Sequence, residues 1–527
     1  MENPERGVHI ENVIDLCRDT SGMLGPLGTG TLVVDQSGNV TVTSSPAVLL
    51  DELDIDDPSL TLTANAAGDF RERHRDGTGR MLAVAGACLA RAERLVERGI
   101  HPTTIADGYR RSVDLATDTI DDIADPATGD AVERTAVTAL TGTRDPHLRE
   151  TIGDYITEAM ADIDSRDGHR TDIDVIARLG AAQSETELVE GAVVDADPVA
   201  EGMARRCVGA GIAALSDDVD VEGVGTATGR RGTTSVTMET ESYDDVAAVA
   251  DAERASFEET VRSFRERGGR CLVTSGSIND RVKTKLATEG VLALHQLDDA
   301  DVARIARATG ATVVPTLGEV TADALGYGDV SVSRKGGRDM TIIRSGDGDE
   351  GGGVYTLFCR APDPRSVQAF ERSVEGAIAA ADAARTSGVV PGGGAVEMAI
   401  ATRVRTAARS RADREQLAME AFAEAVEAVP RALARNAGID GTDARTDLRA
   451  RHADGDRRVG VDVLGGALVD VTDEGILDAA SLTVAALTAA TDLSVQLVRI
   501  DDVVSASDLS DEDGDGESTV ESRVGDT

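Results

Sequence analysis

The feature that most constrains the fold is a change of texture along the chain. Ala- and Leu-rich helical patterns occupy both ends, and short β-like runs fill the middle. Near one end, DGTGRMLAVAGACLARAERL at 76–95 carries apolar residues on a wide face and predicts a mostly buried helix. Between about 195 and 345, runs such as RCLVTSG, VLALHQL, ATVVPTL and MTIIRSG alternate with helical segments such as DADVARIARATG, the pattern of an α/β domain. From about 364 to 455 the long Ala-rich helices return. Matching ends around a different middle predict one domain assembled from both termini with another inserted between them. At 527 residues the chain is too long for a single hydrophobic core.

Local signals refine this outline. Residues 11–24 read as a helix, GMLGPLGTG as a glycine-punctuated loop, and TLVVDQSGNVTVTSS as a hairpin turning at Ser37-Gly38. Helices are expected to continue, with polar breaks, from residue 95 to about 180. IRSGDGDEGGG at 343–353 reads as a Gly/Asp loop. The closing SDLSDEDGDGESTVESRVGDT is acidic and almost free of apolar residues, so a disordered tail is expected.

Charge and cysteine usage narrow the function classes. The chain carries 95 acidic and 53 basic residues, a formal charge of −42, and its only lysines are Lys283, Lys285 and Lys335. This balance resembles that of proteins from salt-loving organisms, where a Debye length of about 3 Å at 1 M salt screens most self-repulsion. A nucleic-acid partner is disfavoured, because the arginines are scattered among more numerous acids. Cys17, Cys88, Cys207, Cys271 and Cys359 lie far apart without a CxxC, so neither a disulfide framework nor a zinc site is indicated. The N-terminal MENPERGVHIENVIDLC lacks a basic start followed by an apolar core, and the expectation is a soluble, cytoplasmic protein without a membrane partner. With 2% aromatics and no Trp, the cores must be built from Ala, Val, Leu and Ile.

One loop motif, LGPLG at 24–28, is by itself more often a turn than a phosphate cradle. Its company is more specific. LGPLGTGTLVVDQSGNVTVT, RDGTG, GIHPTTIADGYRRS, GAVVDADPVAEGMARR, SGSINDRVKTKLATEGVLAL and ARATGATVV follow one another along the chain. ERSVEGAIAAADAARTSGVVPGGGAVE, ALARNAGIDGTD, GVDVLGGALVDVTDEGILDAASL and LVRIDDVV complete the series. Together, and in this order, they resemble the group II chaperonins of the thermosome (TCP-1) type over nearly the whole chain.

The resemblance implies a multidomain α and α/β chaperonin fold. Its helical equatorial domain would comprise 1–130 and 386–506, its small intermediate domain 131–195 and 346–385, and its α/β apical domain 196–345, ahead of an acidic tail at 507–527. It also implies stacked rings of like or mixed chaperonin subunits, unfolded protein clients, and a site for ATP or ADP with Mg²⁺. Leu24, Gly25, Pro26 and Gly28 match the family's phosphate loop, with Leu27 in place of a lysine. Asp76 matches its Mg²⁺ ligand, and Gly77 and Thr78 its phosphate-binding helix start. Gly392, Gly393 and Gly394 match its glycine triplet, and Asp478 its ribose-contacting acid.

Departures from the pattern fall on the chemistry of water attack. TSSPA at 43–47 puts Ser45 where the family carries an aspartate that acts on the attacking water, and Pro46 where it carries glycine. Gly376 in ERSVEGA stands at the second catalytic aspartate. The neighbouring Glu375 is turned about 100° around a helix and is expected to point elsewhere. Arg75 replaces a glycine, and Gly79 and Arg80 replace two threonines. The two arginines would either restore phosphate contacts or fill the pocket. The expectation is a nucleotide-binding subunit with weak or absent hydrolysis, or alternatively a scaffold subunit that binds a specific protein partner. The segment VTMETESYDDVAAVADAERASFEE, expected as the apical protrusion, is acidic and poor in large apolar residues, which points either to the general surface bias or to weakened client binding.

Overall fold

In the computed structural model the described residues are 4–34, 40–53, 55–165, 173–220, 255, 257–335, 338–346 and 353–500. The expected turn at Ser37-Gly38, most of the acidic protrusion segment and the acidic tail lie outside them. The chain divides into two compact units, Met1–Thr141 with Ala383–Thr527, and Gly142–Asp382.

The first unit opens with α1 (Pro4–Ser21), the hairpin β1 (Thr31–Val34) and β2 (Val40–Thr43), and α2 (Pro46–Glu52). α3 (Pro58–His74), α4 (Thr78–Glu97), α5 (Pro102–Ile123) and α6 (Gly129–Ala139) follow. Proline at the first helical position sets several of these starts, because its missing N–H needs no partner there. Asp57 caps α3 by accepting from Ser59 N at 2.8 Å and Leu60 N at 3.1 Å. His101 of the HPTT motif accepts from Thr103 N at the start of α5.

The second unit contains α7 (Pro146–Ser165), β3 (Ile173–Leu179), β4 (Glu187–Glu190), β5 (Ala192–Val194) and β6 (Arg206–Leu215). Next come α8 at 257–266, β7 (Gly269–Thr274), α9 (Asp280–Thr288), β8 (Leu292–Leu294), α10 (Asp299–Thr309) and β9 (Val313–Val314). β10 (Gly326–Lys335), β11 (Arg338–Ser345) and β12 (Tyr355–Ala361) complete the strands, and α11 (Pro364–Ser387) leads back to the first unit. A seven-stranded sheet runs β5-β11-β10-β6-β7-β8 with β9 on β6. Its β6–β7, β7–β8 and β6–β9 pairings are parallel, as strand–helix alternation requires, while β10 pairs with β6 antiparallel. A separate three-stranded sheet has the order β3-β12-β4.

The remaining elements of the first unit are β13 (Val389–Pro391), α12 (Ala395–Ala408), α13 (Glu415–Val426), α14 (Ala428–Asn436) and α15 (Gly441–Ala453). The hairpin β14 (Val459–Asp462) and β15 (Ala467–Asp470), β16 (Leu477–Ala479) and α16 (Ala480–Val498) follow. One core joins α1, α4, α5, α12, α13 and α16, built from Ala, Val, Leu, Ile and Met with Phe70, Tyr109 and Phe422 as its aromatics. By length and composition α16 could cross a membrane, but Ala480, Ala486, Leu487, Ala490, Leu493 and Val498 are buried in this core. All five cysteines are free, four of them buried.

Three local expectations are corrected. The first helix spans Pro4–Ser21 rather than 11–24, because the chain turns at Gly22 and Met23. Helix does not continue to 180: residues 173–179 are strand β3, paired in parallel with β12. The segment 343–353 is not a loop throughout, since β11 carries its ladder through Ser345 opposite Gly328.

Candidate functional site

The site is built inside the first unit, where three segments meet at the start of α4. The loop after α1 reverses at Gly25, whose φ is +80°, and closes with Gly28 N donating to Gly25 O at 3.1 Å. Asn436, the last residue of α14, holds this loop by donating to Leu24 O at 2.8 Å and Ser21 O at 3.3 Å. Pro26 lies on the reversal, partly exposed between Gly25 and Leu27.

The second segment is the turn from α3 to α4. Gly77 caps α4 with φ +89°, a left-handed conformation that glycine adopts without steric cost. The N–H groups of Thr78, Gly79 and Arg80 then form the open positive end of a 20-residue helix. A Cβ on Gly79 would lie 3.1 Å from Leu24 Cδ1 and 3.7 Å from Pro46 Cγ, so the first loop and the start of α2 both border this helix end.

Arg75 also adopts a left-handed conformation, with φ 60°, as the C-cap of α3. Such a conformation costs an L-residue roughly 1–2 kcal/mol, which is the physical reason a glycine suits this position. Arg75 is exposed rather than folded into the cleft.

The third segment is the glycine triplet before α12, with β16 beside it. Val461 N donates to Gly393 O at 2.8 Å, and Gly392 N donates to Ile476 O at 2.9 Å, which fixes the triplet against β14 and β16. A Cβ on Gly394 would sit 2.5 Å from Pro430 Cβ, so close packing asks for glycine there. A Cβ on Gly392 would lie 3.3 Å from Asp478 Oδ2, which places the triplet next to the acid.

Asp76, Asp478 and Glu397 surround one cation, Arg80. Arg80 Nη2 donates to Asp478 Oδ2, Nη1 donates to Thr483 Oγ1 at 2.9 Å, and Nε lies 3.0 Å from Glu397 Oε1. The last contact is a charge pairing rather than an aligned hydrogen bond: Glu397 is fully buried, and neither of its oxygens has a hydrogen-bond partner among the described residues. Burial alone would lower the Arg80 guanidinium, but Asp478 and Glu397 together push it above its ordinary value. Burial pushes Glu397 up, opposed by Arg80. Burial pushes Asp76 up to about 6, against the pull of the Gly77 N–H and of Arg80, while Asp478 adds to the rise.

Among the described residues no group of three or more His, Cys, Asp or Glu side chains is arranged to hold a metal ion by itself. Asp76 alone still fits Mg²⁺, which commonly takes one or two protein carboxylates and completes its shell with phosphate oxygens and water. Asp76 would hold the ion, and the ion would neutralise phosphate charge.

The two positions that the resemblance assigns to water attack carry no acid. Ser45 is the N-cap residue of α2, makes no side-chain cap hydrogen bond, and is followed by Pro46 at the first helical position. Gly376 lies in the second unit, buried along α11, and brings no carboxylate. Among the acids near it in sequence, Glu371 accepts from Ala177 N at 3.1 Å and is raised by burial.

Sequence reasoning named Leu24, Gly25, Pro26, Asp76, Gly77, Thr78, Gly393, Gly394 and Asp478, all of which lie in the first unit. It missed Glu397, Thr483 and Asn436. Glu397 was readable as the one acid in the apolar start of α12, and the other two carried no signal of their own.

The chain as a whole is similar to known proteins. The TCP-1/cpn60 chaperonin family matches residues 19–508. The chain is 34% identical over 496 residues to a thermosome subunit of Methanopyrus kandleri, covering 92% of this chain and 89% of that protein. It is 34% identical over 506 residues to thermosome subunit 2 of Haloferax volcanii, covering 94% of this chain and 89% of that protein. A crystal structure of a group III chaperonin in the open state shares the fold with a TM-score of 0.77 at 22% identity, covering 95% of this chain and 99% of that one. The chain belongs to the TCP-1/cpn60 chaperonin family, in its group II, thermosome-like branch.

Proposed function

We propose that this chain is a chaperonin ring subunit that assists protein folding, holds ATP or ADP with Mg²⁺ in the cleft of its first unit, and hydrolyses ATP weakly or not at all. The carrying observation is the asymmetry of the site. The phosphate loops, Asp76 and Asp478 converge, while Ser45 and Gly376 stand at the family's two water-activating carboxylates. Removing a general base or water-positioning group typically costs about 10²–10⁴ in rate, and two losses on one step need not multiply.

The domain scheme we assign makes the first unit equatorial, the three-stranded sheet with its flanking helices intermediate, and the seven-stranded sheet apical. Ring assembly is supported by the β1–β2 hairpin. Leu32, Val34, Val40 and Val42 lie on one face of it and are all exposed, while Val33 on the other face packs with Met23 and Leu49. A neighbouring subunit, like or unlike, would cover that apolar face.

A second reading, a non-hydrolytic scaffold subunit for a specific protein partner, is favoured by one observation: the acid expected to meet ribose already pairs with Arg80. Equilibrium binding of ADP, measured beside steady-state phosphate release in molar KCl, separates the two. Binding with little release supports the first reading. Release at the rate of an ordinary chaperonin would contradict it, and absence of binding would favour the scaffold.

A further inference from the structure

Arg80 is the third residue of α4, and its side chain crosses the cleft to groups on β16, α16 and α12. Each of its three nitrogens is engaged: Nη2 with Asp478, Nη1 with Thr483 Oγ1 at 2.9 Å and Nε with Glu397 at 3.0 Å. The fit is built rather than incidental. Thr483 donates its own hydroxyl to Ala479 O at 3.1 Å, which leaves its oxygen free to accept from Arg80. Glu397 is fully buried and has no other cation recorded against it among the described residues. The Arg80 side chain is 15% exposed.

We propose that Arg80 is a resident latch across the ribose side of the cleft, so that a nucleoside diphosphate enters by displacing its guanidinium from Asp478. This rests on reading the cleft as a nucleotide site. Two roles were open to this arginine from sequence, phosphate contact or pocket filling, and the geometry selects the second. A guanidinium with two nitrogens hydrogen-bonded to Asp478 and Thr483 and the third charge-paired with Glu397 has to break buried contacts before it can turn to a phosphate. The latch weakens nucleotide binding by the amount its own ion pair and hydrogen bond stabilise the empty cleft. It also makes the apparent affinity depend on the fraction of molecules in which Arg80 has let go.

The test is ADP binding by calorimetry in molar KCl with Mg²⁺, on the full-length protein and on Arg80→Thr. A second variant, Arg80→Thr with Glu397→Gln, avoids leaving a buried carboxylate without its cation, and thermal melting checks that each chain is folded. The latch predicts ADP binding at least about tenfold tighter in a folded variant than in the wild type, about 1.4 kcal/mol. If Arg80 instead contacts phosphate, its loss weakens ADP binding, and equal or weaker binding by the variants beside a binding wild type overturns the latch while leaving the nucleotide reading intact. If all three folded proteins fail to bind ADP at millimolar concentration, the reading of the cleft falls and the latch falls with it.

Discussion

At Arg75 and His452 single side chains carry measurable consequences. Arg75 holds a left-handed conformation at the end of α3 while exposed to solvent, so its replacement removes strain without opening a cavity. Arg75→Gly should raise the stability of the first unit by about 0.5–1 kcal/mol, read as a higher melting temperature; an unchanged or lower one would contradict the strain. His452 is 4% exposed, with Nε2 2.8 Å from Val459 O and Nδ1 without a partner among the described residues. Burial lowers its pKa, opposed by the Val459 carbonyl and Asp456 and aided by Arg457. The neutral ring fits because Nε2–H donates while Nδ1 needs no second acceptor. The unfolded chain gains a proton below its ordinary pKa of about 6.5, and the fold resists that gain. The contribution is therefore intact above about pH 6.5 and is lost as pH falls through and below that value. Wild-type protein should lose more melting temperature between pH 7.5 and 5.5 than His452→Gln does.

Residue identities also decided what was legible in advance. Glycines in short motifs marked the cleft, because positive φ and close packing restrict the residue types allowed there. Arg80 could not be resolved from sequence: its partners Glu397, Asp478 and Thr483 lie more than 300 positions away, and only the fold sets which acid a long side chain reaches.

Among the elements, α12, α15 and the junction of α13 with α14 are tied through one buried carboxylate. Glu427, 1% exposed, accepts from Arg405 Nη2 at 2.5 Å and from Arg449 Nε at 2.7 Å, with Arg449 Nη2 on its other oxygen. Removing one partner of such a group leaves two guanidinium ions without their carboxylate. Glu427→Gln should destabilise the first unit by roughly 3 kcal/mol, measured by denaturant unfolding. A loss within about 0.5 kcal/mol would mean that solvent already screens the group.

The helices of the first unit were legible from periodicity, and β3 was not. Of IDVIARL only Ile173 and Ala177 are buried, a spacing of four that imitates a helix face. What makes it a strand is parallel pairing with β12, where Ile173 lies opposite Tyr355. A partner so distant in sequence leaves no local trace. The loop expected at 343–353 failed for a related reason, since Ile343 is held by the ladder to Val330 despite the Gly/Asp run that follows.

For the whole molecule, the two-unit division and the family membership were legible from texture and motif order, because an inserted α/β segment and a set of glycine loops both survive as pattern. The charge of −42 governs conditions rather than fold. Like charges at this density repel across the surface until salt screens them, with a Debye length of about 10 Å at 0.1 M and about 3 Å at 1 M. The melting temperature should therefore rise steadily with KCl up to molar concentration; a flat or falling curve would show that the acids are locally neutralised.

The central claim is that the chain keeps the loops and acids proposed to hold nucleotide while Ser45 and Gly376 stand in place of the carboxylates that would act on water. Asp is as good a helix N-cap as Ser, so Ser45→Asp should be tolerated at the start of α2. The most direct measurement is single-turnover phosphate release in molar KCl from the wild type, from Ser45→Asp, and from Ser45→Asp with Gly376→Asp. The account predicts release near background for the wild type and a gain of at least about 10² with the carboxylates restored. Wild-type release as fast as that of the doubly substituted chain would contradict it.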